Sequence, residues 1–153
     1  MNATHEHGHD VSDIDCLNSL LGYQLAAVET YDMAMLKVED PHILADLQSI
    51  REEHTQAEIL LREKVLQLGG EPIEACEPWG ACAAAVSGQE NVKGPATALA
   101  ALLQGEEHAI NEFEDALKRE YMNSECKNLI RGKLLPTSQK HVAELNRLMG
   151  GMG

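Results

Sequence analysis

The chain has 153 residues, enough for one domain with an ordinary core. Aromatic residues make up only 3%, and the abundance of Ala, Leu, Glu and Gln favours helices over strands. A formal charge of −13 speaks against nucleic acid, whose phosphates call for Lys and Arg, and against anionic membrane surfaces.

The first element is expected to be a flexible arm over residues 1–12. Its His5, His7 and His9, with Glu6 and Asp10, can offer ligands to copper, nickel or zinc, or simply remain solvated. Ser12, with Asp15 three residues later, has the spacing of a capping box and predicts a helix over 13–37. Asp40-Pro41 supplies an N-cap and a first-turn proline for a second helix over 41–68, which Gly69, Gly70 and Pro72 close. A crossover over 69–94 follows, with a short helix expected from Pro78 to Val86 and Trp79 pinning the linker. Pro95 opens a third helix over 95–121, and Asn123 or Ser124 starts a fourth over 124–149.

Short connections between helices 1 and 2, and between 3 and 4, force antiparallel neighbours. The long crossover can carry the chain back along the bundle, so the expected architecture is all-α: two helical hairpins joined by one long connection, within a domain at 13–150. This is the ferritin-like arrangement of a four-helix bundle. No segment has the apolar length of a membrane span, and the N-terminus lacks the basic start and apolar stretch of a signal peptide. Cys16, Cys76, Cys82 and Cys126 include no C-x-x-C pair and read as reduced thiols, which sets the expectation of a cytoplasmic protein.

Each helix carries an apolar stripe at three- and four-residue steps. Helix 1 reads Leu17, Leu21, Gln24, Val28, Tyr31, Met35, Val38, and helix 2 reads Ile43, Leu47, Ile50, His54, Ala57, Leu61, Val65, Leu68. Helix 3 reads Leu99, Leu103, Glu106, Ile110, Phe113, Leu117, and helix 4 reads Ile130, Leu134, Ser138, His141, Leu145, Leu148, with a slip near Pro136. The polar interruptions Gln24, His54, Glu106 and His141, with Ser138 one turn from the last, fall at one level. Cofactor and metal sites of such bundles are built there. The halves also echo each other: "LLGYQLAAVETYDMAM" overlays "LLQGEEHAINEFEDAL", placing Gln24 on Glu106 and Tyr31 on Phe113.

From Leu17 to Met149 the chain resembles a family of uncharacterised bacterial ferritin-like four-helix proteins. The resemblance rests on "LNSLLGYQLAAVETY", "EEHTQAE", "LGGEP", "PWGACAAAV", "GEEHAINEFEDAL" and "LLPTSQKHVAELNRLM". It implies the fold and, by analogy with the superfamily, a homodimer; it implies no settled function. Ferritin-like di-iron proteins take one Glu from helices 1 and 3 and a Glu-x-x-His from helices 2 and 4. Here the helix 1 position is Gln24, and Arg51 and Ser138 stand three residues before His54 and His141. One carboxylate undercompensates two irons, so a di-iron oxidase or ferroxidase is disfavoured, and Glu53, Glu58 and Glu144 are only flanking candidates.

Two readings remain. In one, the central layer is metal-free and self-satisfied, with Arg51 paired to Glu106 and the imidazoles bonded to Gln24, Ser138 or water. The role is then structural, stress-related or interaction-based rather than catalytic. In the other, His54, Glu106 and His141 hold one zinc, iron or copper ion in a binding or redox protein. The remaining features read plainly: His108 pairs with Glu107 or Glu112 on a helix flank, Tyr31 and Phe113 fill the core, although a tyrosine near a redox metal can carry a radical, and the methionines are gap-fillers or tail residues rather than a copper box.

Overall fold

A computed structural model describes residues 3–75 and 94–151, with the side chains of the first helix described from residue 11 onward. The expected short helix at Pro78–Val86, Trp79, Cys76 and Cys82, and the side chains of His5, His7 and His9, lie outside the described residues. The described residues form four helical rods: α1 (Ala3–Met35), α2 (Pro41–Gln67), α3 (Pro95–Leu117) and α4 over 124–151. The last is composite, with α-helical Ser124–Leu129, a π-helical turn at Ile130–Leu134 and α-helical Leu135–Gly151. α1 packs on α2, α3 on α4, and α1 on α3, while the seam between α2 and α4 is loosely closed. None of the described helices is long and apolar enough to cross a membrane.

The caps follow the sequence punctuation. Asp40 accepts from the backbone N–H of His42 at 2.8 Å, and Asn123 accepts from that of Glu125 at 2.7 Å. Beyond α2, Gly69 takes φ +86°, and the N–H groups of Gly69 and Gly70 reach back to the carbonyls of Leu66 and Val65. This is a Schellman closure, which needs a left-handed residue at that point. Asn18 then clamps the chain leaving α2, donating to Glu71 O at 3.0 Å and accepting from Ile73 N at 3.1 Å.

The N-terminal signal reads differently. The backbone is helical from Ala3, so Ser12 lies inside α1 rather than at its start. Residues 3–12 contain no proline, and Gly8 is the least favourable residue for a helix, at about 1 kcal/mol relative to Ala. Ser12 is bonded to Arg119, and the neighbouring Asp13 is buried, where it accepts from the Asn123 N–H at 3.0 Å.

In α1 and α3 the buried stripe is rotated from the expected one. Ala27 and Ala34 are buried in place of Val28 and Met35, and Leu102, Ala109 and Ala116 in place of Leu103, Ile110 and Leu117. Small side chains let two backbones approach closely, and the bulkier neighbours move to the flanks. The buried positions of the two helices coincide at one offset: Leu17 with Leu99, Leu20 with Leu102, Gln24 with Glu106, Ala27 with Ala109, Tyr31 with Phe113, Ala34 with Ala116. The duplication therefore extends to which residues face inward.

In α4 the buried row is Cys126, Ile130, Leu134, Ser138, His141, Leu145 and Leu148. It opens with three successive four-residue steps, each overshooting an α-helical turn by about 40°. The π turn absorbs that drift, with Leu135 N–H bonded five residues back to Ile130 O. Pro136, one residue later, brings no N–H and crowds the carbonyl four residues before it. The slip expected near Pro136 is this π turn.

Two apolar clusters result. One centres on Ala27, Leu47, Leu99 and Leu145, the other on Leu17, Leu61, Phe113 and Ile130. A polar layer separates them.

A candidate metal centre between the two cores

That layer contains one inward side chain from each of α1, α2 and α3, and two from α4: Gln24, His54, Glu106, Ser138 and His141, all at most 3% exposed. Glu106 is its centre. Its Oε2 accepts from Tyr31 OH at 2.6 Å and from His54 Nε2 at 2.6 Å, with His141 Nδ1 at 3.3 Å from the same oxygen. The last contact lacks hydrogen-bond alignment, so His141 Nδ1 and Glu106 Oε1 are buried polar atoms with no hydrogen-bond partner among the described residues.

Around this centre the layer is tightly tied. His54 Nδ1 lies 2.7 Å from Gln24 Oε1, so both nitrogens of the ring face oxygens. An imidazolium satisfies both, as does a neutral ring with the Gln24 amide turned to donate. His141 Nε2 lies 2.8 Å from Glu53 Oε1, whose other oxygen accepts from Lys140 Nζ at 2.8 Å. The two imidazoles sit with ring centres 4.8 Å apart.

The charges follow from these contacts. Burial alone would raise the Glu106 pKa, but His54 and His141 outweigh it and hold the carboxyl well below the usual carboxylate range. Burial favours a neutral His141, yet Glu106 and Glu53 together push its pKa above the ordinary value. Tyr31 is pushed up, first by burial and then by the Glu106 charge, so it stays a hydrogen-bond donor.

Three expected participants stand elsewhere. Arg51 does not enter the layer or pair with Glu106: its guanidinium reaches across to Asp32 on α1, with Nε to Oδ1 at 2.5 Å and Nη2 to Oδ2 at 3.2 Å. Three residues before His54, it falls on the flank of α2 that faces α1, where an exposed carboxylate costs far less desolvation than the core. Glu58 pairs with Arg62 one turn along, at 3.1 Å. Glu144 is held by Arg147, with Arg147 Nε to Glu144 Oε1 at 3.2 Å. Of the flanking candidates only Glu53 touches the layer. Outside it, His108 bonds to Tyr23 OH at 3.1 Å, a partner on α1 rather than on its own helix.

Tyr31, expected in the core with a role only beside a redox metal, is a participant in the layer. Its position one α-turn pair from Gln24 and opposite Glu106 was visible; that its hydroxyl reaches the carboxylate was not. Among the described residues, His54, Glu106 and His141 are the group of His, Cys, Asp and Glu side chains placed to share an ion, with ligand atoms within 4.8 Å of one another.

A family model described as a domain of unknown function (DUF2383) matches residues 12–119. No curated protein sequence matches the chain. Among solved structures, one described as "ferritin like, diiron-carboxylate proteins from Bacillus anthracis str. Ames" is similar in fold. It has 21% identity and a TM-score of 0.71, and the match covers 92% of this chain and 98% of that one. The fold is ferritin-like, as the topology implied. The di-iron donor set of that fold does not fit here: of the four positions where carboxylates would be needed, Gln24, Arg51 and Ser138 have none and only Glu106 does.

Proposed function

The chain belongs to the DUF2383 family, and on that footing we propose that its central layer binds one divalent transition-metal ion. His54, Glu106 and His141 would hold the ion, two neutral imidazoles and one carboxylate being an adequate set for zinc or ferrous iron. The observation that carries this reading is that two buried atoms of the layer, Glu106 Oε1 and His141 Nδ1, have no hydrogen-bond partner among the described residues. Leaving a donor or acceptor buried and unsatisfied costs about 1–3 kcal/mol each, and a shared cation relieves both. Binding would displace the proton between His54 Nε2 and Glu106 Oε2, while His54 Nδ1 and His141 Nε2 would keep their contacts to Gln24 and Glu53. Tyr31 would keep its hydroxyl on Glu106 and orient the carboxylate, while Glu53 would orient the His141 ring from outside. A bound ion would supply Lewis acidity or a redox couple in a layer closed above and below by apolar side chains.

A metal-free polar layer is the second reading, favoured by the Gln24–His54–Glu106–Tyr31 chain of hydrogen bonds. Thermal melting separates the two. Under the metal reading zinc raises the melting temperature of chelator-treated protein, because only the native state holds the ion. The same zinc has no effect on His141→Ala. A melting temperature indifferent to zinc and chelator in the wild-type chain supports the polar layer instead.

A further inference from the structure

The loose seam between α2 and α4 leaves a cleft of about 210 Å³ whose inner end is made by His54, His141 and Ser138 and whose mouth carries Lys133, Lys140 and Glu53. We propose that this cleft is a binding site for a small carboxylate anion. Its size sets the class, because clefts for drug-sized ligands run to roughly 300–1,000 Å³ and this one admits only a few heavy atoms.

Its charge sets the sign. The chain has 25 acidic residues against 12 Lys and Arg, yet the cleft wall has two lysines against one glutamate. Glu53 is already committed to Lys140 and His141, at 2.8 Å each. Lys133 forms no ion pair among the described residues, so the mouth retains one uncompensated cation in an otherwise acidic protein. Positive charge at a cleft with low-dielectric walls concentrates anions there. The Glu53 carboxylate itself, seated between a lysine and a histidine, shows that this wall accommodates the group.

Ser138 is the second, independent observation. It lines the cleft and is 3% exposed, so its position in the wall is fixed by the packing around it. A serine hydroxyl in the cleft wall can donate to an acceptor oxygen arriving there. The π turn at Ile130–Leu134 carries Lys133 and Leu134 into the same wall, and such turns recur at functional sites. The site does not depend on the metal reading, although a carboxylate at its inner end would lie beside the histidines.

Acetate tests the proposal, with acetamide as the uncharged isostere. Both are titrated into the full-length, chelator-treated chain while backbone amide chemical shifts are followed. Chelator treatment makes the outcome independent of whether the layer binds metal. Acetate should produce saturable shifts confined to residues 53–57 and 133–141, at on the order of 10 mM or below, and acetamide should not. Lys133→Glu should weaken acetate about tenfold or more, and Lys133→Gln should act in the same direction. Lys118→Glu, an equal charge change at an exposed site outside the cleft lining, should leave it unaltered. Equal response to acetamide, equal weakening by Lys118→Glu, or no saturable shift in the cleft would overturn it.

Discussion

Arg51 turns its back on Glu106 and grips Asp32, with Nε to Oδ1 at 2.5 Å and Nη2 to Oδ2 at 3.2 Å. The cation that stands in sequence where a metal ligand is expected is thus a strap between α1 and α2. The central layer loses the partner that a metal-free arrangement needed most, and Glu106 keeps one oxygen unbonded.

Arg51→Ala should therefore cost little. The Asp32 side chain is 50% exposed, and exposed ion pairs contribute about 0–1 kcal/mol. Urea unfolding should show a loss within that range. Removing one partner of a buried pair costs about 3–5 kcal/mol, so a loss that large would place Arg51 in the layer.

The pH dependence of the metal-free protein should have two limbs. Glu106 has a depressed folded pKa, so its contribution is complete above the ordinary carboxyl value of 4.5 and declines as pH falls through the folded value. His141 has a raised folded pKa, so its contribution is complete below 6.5 and declines as pH rises through the folded value. Unfolding free energy measured across pH in chelator should decline on both sides of that interval. In Glu106→Gln the acid limb should flatten and the basic limb should shrink. An unaltered profile in that variant would refute the assignment of the limbs to this pair.

The π turn yields a prediction opposite to the usual one for a deletion in a helix. Removing Gly132, an exposed residue, converts the buried steps of α4 from 4, 4, 4, 3 to 4, 3, 4, 3, the regular α-helical alternation. The variant should melt cooperatively with unchanged helix content by circular dichroism. Deleting Ala143, in the regular part of α4, should scramble the seam and abolish cooperative melting. Equal damage from both deletions would mean that the π turn does not carry the phase correction.

Much of this was legible in the chain because caps, prolines and glycine pairs act locally. Asp40-Pro41, Gly69-Gly70, Pro95 and Asn123 mark the starts and stops that the helices observe. The polar level was legible too, since Gln24, His54, Glu106, Ser138 and His141 interrupt otherwise apolar stripes and all prove buried. What escaped depends on relations across helices. Choosing Ala27 over Val28, or Ala109 over Ile110, follows from how closely backbones approach, which no single helix encodes. Whether Arg51 reaches Glu106 or Asp32, and whether Glu58 and Glu144 turn inward, depends on partners brought near by the neighbouring helix. Tyr31 looked like core because a tyrosine ring packs as core and its hydroxyl's destination lies on another helix, at Glu106.

The most direct measurement is metal content by elemental analysis. The full chain, with His5, His7 and His9 each replaced by Ala, is purified without a histidine tag from cells given iron, zinc and copper. About one equivalent of a divalent ion per chain is expected, lost in His54→Ala and in Glu106→Gln. Two irons per chain would contradict the donor count at Gln24, Arg51 and Ser138, and a metal-free protein would contradict the centre itself.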